Sequence, residues 1–111
     1  MAKNFATKVF FGLNRSDLSN QTLTTLKSLL KAAKAAFKRD SAKRVIVQVV
    51  GYVQPTKKNP FPGSLSTARA QNVANWLKSN GIVGKYVVTG AGNARRNVAA
   101  SRAAEISINW G

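Results

Sequence analysis

The side chains able to hold a ligand cluster in one stretch, "GYVQPTKKNPFPGSLSTARA", Gly51 to Ala70. Arg69 stands out in it. It falls in the first turn or two of the helix that follows the loop, where a cation opposes the helix dipole. Something must offset that penalty. An anion bound at this helix end would be held by free N–H groups and the guanidinium together; a backbone carbonyl or plain water would also serve. Lys57 and Lys58 offer phosphate contacts or a solvated pair. Tyr52 and Phe61 flank the loop and offer rings either for stacking or for packing. Arg95, Arg96 and Arg102 form a second basic group near the last strand. "GAGNAR", Gly90 to Arg95, is a poor phosphate-binding loop, because it lacks the lysine–hydroxyl ending and the strand-to-helix setting.

The missing residue types narrow the chemistry. There is no Cys, hence no thiolate or disulfide, and no His, the commonest general base and metal ligand. The three acids, Asp17, Asp40 and Glu105, are too scattered for a catalytic carboxylate pair or a calcium cage. A non-catalytic protein without metal or cofactor is expected. Eighteen Lys and Arg give a net charge of +15. Such a field attracts polyanions: nucleic acid, an anionic lipid surface or an anionic wall polymer.

The elements that must position these groups follow from periodicity. The chain of 111 residues, 44% hydrophobic, suits a single domain over 1–111 with one core. Strands are expected at about 4–11, 43–52, 84–90 and 103–110, and helices at about 19–39 and 64–80. Leu23, Leu26, Leu30, Ala33 and Phe37 mark one apolar face of the first helix. Lys27, Lys31, Lys34 and Lys38 run beside it, as a solvated flank or a track for a polyanion. Ser19 or Asn20 caps that helix, and Ser64 or Ser66 the second. "KRVIVQVVGY" reads as a central strand, apolar on both faces. Gly90-Ala91-Gly92 is expected to break the third strand. In the last strand Ala104, Ile106, Ile108 and Trp110 alternate with polar residues, leaving one buried face. No apolar run is long enough to span a membrane, and no signal-peptide core follows Met1-Ala2-Lys3.

These pieces, in order, resemble the OmpA-like peptidoglycan-binding domain. "VFFGLNRSDLS" matches the opening strand and the Leu-Ser before the first helix. "GYVQ" stands where the family has Gly-His-Thr-Asp, and "LSTARA" matches Leu-Ser-x-x-Arg-Ala in full at Leu65 to Ala70. "GAG" matches the Gly-x-Gly after the third strand, and "SRAAEI" the Asn-Arg-Arg-Val-Glu-Ile that opens the last. The resemblance covers Val9 to Trp110. It implies an α+β two-layer sandwich, βαβαββ, with two helices packed on one face of a mixed four-stranded sheet.

It also implies a non-catalytic module that grips the diaminopimelate side chain of the peptidoglycan stem peptide. In the family an Asp holds the ligand ammonium and an Arg a carboxylate. The Arg falls on Arg69 and the Asp on Gln54, with Tyr52 and Arg102 as neighbours. The loop Asn falls on Pro62 and the second Arg of the last motif on Ala103. With Gln54 neutral, the site suits an anion better than a zwitterion, so weakened or altered diaminopimelate recognition is expected. The partner is then a peptidoglycan stem peptide or an anionic wall polymer, with nucleic acid as a rival. The resemblance places the chain in the cell envelope, as a domain of a longer exported protein. The remaining alternative is a degenerate fold with a structural or interaction role.

Overall fold

The computed structural model describes residues 3–55 and 61–111. Lys57, Lys58 and Pro60 therefore lie outside the described residues. In chain order the elements are β1 (Asn4–Phe10), α1 (Asn20–Arg39), β2 (Val45–Val53), α2 (Pro62–Ser79), β3 (Lys85–Asn93) and β4 (Ala103–Trp110), with a 3₁₀ turn at Ala99–Ser101. The sheet order is β1-β4-β2-β3. β4 pairs antiparallel with β1 and β2, and β2 pairs parallel with β3. The parallel pair needs a crossover, which α2 supplies.

The two helices cover one face of this mixed sheet. Val47, Val49, Ile106, Ile108 and Val9 point inward at alternate strand positions. They meet Leu26, Leu29 and Ala33 of α1 and Ala70, Val73, Ala74 and Leu77 of α2 in one core. β2 is the interior strand that its apolar residues call for.

α1 starts where expected: the Ser19 side chain accepts from the Thr22 N–H at 3.2 Å. Its buried face differs from the expected one. Thr22, Leu26, Leu29, Ala33 and Ala36 are covered, while Leu30 and Phe37 pack at the margin. The apolar arc of α1 is wide, and the sheet contacts its centre.

α2 begins earlier than a serine cap would have it. Pro62 opens the helix, Phe61 is the N-cap, and no side chain caps it. Proline suits this position, since its missing N–H has no intrahelical partner to lose. Ser66 is instead fully buried; it donates to the Gly63 carbonyl at 2.9 Å and accepts from the Gly92 N–H at 2.9 Å. α2 can sit this close to the sheet because two glycines face it. A Cβ on Gly51 would overlap the Ser66 carbonyl, and one on Gly90 would overlap the Thr67 side chain. Gly90-Ala91-Gly92 does not end β3, which runs to Asn93 with an irregularity opposite Gly51 and Val53. Gly90 serves helix contact, Gly92 takes a left-handed φ of +74°, and β3 continues through both to Asn93.

Candidate functional site

The C-terminal ends of β1 and β2 meet the start of β4 and the first turns of α2. Arg69 lies at this junction and is fully buried. It follows the first helical residue by seven positions, about two turns. The dipole acts within the first turn, so it does not govern Arg69. Backbone carbonyls do. Nε donates to Arg15 O at 2.8 Å, one terminal nitrogen to Tyr52 O at 2.8 Å and the other to Gly12 O at 3.1 Å. The guanidinium also lies 5.2 Å from the centre of the Phe11 ring. Asn72, one turn on, donates to Ser16 O at 2.8 Å. α2 thus clamps the loop between β1 and α1 by its main chain.

No carboxylate neutralises this cation. Burial first, and then the nearby Arg102 charge, pull the Arg69 pKa down to about 10, which still leaves it charged at neutral pH. The three acids of the chain are engaged elsewhere: Asp17 with Arg15 at 2.7 Å, Asp40 with Arg39 at 3.2 Å, and Glu105 with Lys8 at 3.3 Å.

Gln54 sits just past the end of β2 and is used at both ends. Its Oε1 accepts from Arg102 at 3.1 Å, and its Nε2 donates to Asn97 Oδ1 at 2.7 Å. Arg102 spends its Nε on Phe11 O at 3.0 Å and stays partly exposed. The fold therefore brings Arg69, Arg102 and Gln54 together. It adds Asn97, which carries no sequence signal because it lies in the irregular loop between β3 and β4, outside either flanking motif.

Tyr52 divides its roles. Its carbonyl belongs to the Arg69 cluster, while its side chain lines a separate cleft of about 380 Å³ with Lys8, Arg95, Ser101 and Glu105. Phe61 is 71% exposed at the start of α2. Arg95 and Arg96 are exposed on the loop before β4. Among the described residues no group of three or more Asp, Glu, His or Cys could hold a metal ion.

The model of the OmpA family matches residues 10–109. The chain belongs to the OmpA family. No curated protein sequence matches it. Solved structures do, at low identity. The OmpA-like domain of FopA1 from Francisella tularensis has a TM-score of 0.69 at 19% identity, covering 97% of this chain and 75% of that one. The cell wall anchor of the T6SS from Pseudomonas aeruginosa has a TM-score of 0.68 at 20% identity, covering 100% and 87%. The peptidoglycan-associated lipoprotein from Burkholderia pseudomallei has a TM-score of 0.63 at 17% identity, covering 91% and 88%. At these identities the likeness speaks to fold. The matched span of this OmpA-family chain holds every residue of the junction, from Phe11 to Arg102.

Proposed function

We propose that this OmpA-family chain is a non-catalytic cell-wall-binding module, and that its pocket takes an anionic group of the peptidoglycan stem peptide with weakened or altered recognition of diaminopimelate. Family membership supports the wall-binding part, as do relatives whose structures are described as a cell wall anchor and a peptidoglycan-associated lipoprotein. A cell-envelope location, as part of an exported protein, goes with it.

One observation carries the altered specificity. Gln54 stands between Asn97 and Arg102, with Arg69 close behind and no carboxylate in the cluster. A ligand ammonium entering here meets two guanidiniums and a neutral amide. A ligand carboxylate meets the same two cations favourably. The roles then divide. Arg102, partly exposed, makes the direct contact, and Gln54 and Asn97 frame it. Arg69 lies buried behind them and adds its uncompensated charge; a ligand would reach it only by displacing one of three carbonyls. Tyr52 contributes its main chain. The absence of His and the ion pairing of each of the three acids support the non-catalytic reading.

Calorimetry with diaminopimelate-containing muropeptide tests this reading. Gln54→Asp restores a carboxylate beside Arg102 and should strengthen binding about tenfold, the equivalent of one charge-assisted hydrogen bond. Tight binding by the unaltered chain, with no gain from Gln54→Asp, contradicts it.

A further inference from the structure

A second feature, remote from the pocket, is independent of that reading. α1 and α2 together contain no acidic residue. On α1, Lys27, Lys31, Lys34 and Lys38 are all exposed. At 3.6 residues per turn they fall within an arc of roughly 60°, so they make a row one side chain wide and about 16 Å long. Arg39, the last residue of α1, and Lys43 and Arg44 beyond it are exposed as well. Asp40, the acid in this span, turns away. It accepts from Trp110 Nε1 at 2.9 Å and from Arg39, and its side chain is only 18% exposed. With Asp17 and Glu105 held by Arg15 and Lys8, no carboxylate pairs with the four row lysines.

Like charges three and four residues apart repel along a helix. Core packing does not require this row, because Leu26, Leu29, Ala33 and Ala36 make the contact with the sheet. Lys34 reaches the turn at Gly81 after α2, so the row borders the side of α1 nearest the second helix. We propose that it is a docking track for a single flexible chain of repeating phosphates, held through its charges alone.

The residues beside the row favour this occupant. Thr24, Ser28, Ala32 and Ala35 are its exposed neighbours. None is an aromatic on which bases could stack. A duplex also presents two backbones across a groove about 12 Å wide, and the flank where a second row would stand carries Ser28, Ala32 and Ala35. α1 exposes no large hydrophobic residue, so it has nothing to insert into a bilayer.

Anisotropy of a labelled linear polyphosphate, at about 50 and 200 mM salt, reads the track. The triple variant Lys27→Gln, Lys31→Gln, Lys34→Gln is compared with Lys85→Gln, Arg95→Gln, Arg96→Gln. Both remove three exposed charges, and circular dichroism checks that both remain folded. The row variant should lose about tenfold or more in affinity at low salt. Its log–log salt slope should flatten by about two, at roughly 0.7 per phosphate contact for a single chain. The second variant should lose less than about threefold. Equal losses from both would mean that net charge alone binds, and would overturn the track. Tighter binding of duplex DNA than of polyphosphate, again lost with the row lysines, would overturn the flexible-chain occupant.

Discussion

Replacing Arg69 by methionine should destabilise the fold severely. Methionine fills similar space but donates nothing. Three bonds disappear, to Arg15 O, Tyr52 O and Gly12 O. Bonds to a charged group are worth roughly 1.5–3 kcal/mol each, so together about 5–9 kcal/mol is at stake. The variant also escapes a cost. Burial beside Arg102 lowers the arginine pKa from 12.5 to about 10, which at about 1.4 kcal/mol per pKa unit is a penalty of about 3 kcal/mol. The net loss is about 2–6 kcal/mol. For a domain of this size that lowers the melting temperature by about 8 °C or more. Urea titration followed by tryptophan fluorescence measures it directly. Arg69→Lys should lose most of the same stability, because one ammonium cannot reproduce a planar fork reaching three carbonyls. A change within about 0.5 kcal/mol for Arg69→Met, the range of an ordinary surface substitution, would refute the clamp and leave the guanidinium free for a ligand.

Gly51→Ala places a methyl group against the Ser66 carbonyl, so α2 must lift off the sheet; a loss of about 3 kcal/mol, the upper range for overpacking, should appear in the same urea assay. Asp40 is held below the usual carboxylate range by Arg39 first and Trp110 second. Its stabilising contribution is therefore present above the unfolded pKa and is lost as pH falls through the folded value. Asp40→Asn should accordingly show a shallower decline in stability between neutral pH and acid than the parent chain.

Much of the framework was legible because local rules and the global fold agree. Ser19 caps α1, and the alternation from Ala104 to Trp110 marks β4 over the span observed. The face of α1 was harder to place. Apolar residues at 23, 26, 29, 30, 33, 36 and 37 cover a broad arc, and only the sheet decides which part is buried. The start of α2 was misplaced because a serine cap is the commoner signal, whereas here Pro62 opens the helix and Ser66 turns inward. That shift moved Arg69 away from the helix terminus. Its partners, the carbonyls of Gly12 and Arg15, are supplied by a loop more than fifty positions away in the chain. Backbone carbonyls leave no trace in residue identity, so no spacing could reveal them. The place of Gln54 at the end of β2 was legible from the sequence. Its bond to Asn97 was not, because it depends on how the loop before β4 folds back.

The most direct measurement is co-sedimentation with isolated peptidoglycan sacculi, comparing the unaltered chain with Arg102→Gln at low and moderate salt. The Lys27→Gln, Lys31→Gln, Lys34→Gln chain serves as a control with a larger charge loss, and melting curves verify that each variant is folded. The unaltered chain and the lysine variant should sediment with sacculi at moderate salt, and Arg102→Gln should stay largely in the supernatant. Failure of the unaltered chain to sediment, or full retention of a folded Arg102→Gln variant, would contradict a wall-binding pocket at the Gln54–Arg102 junction.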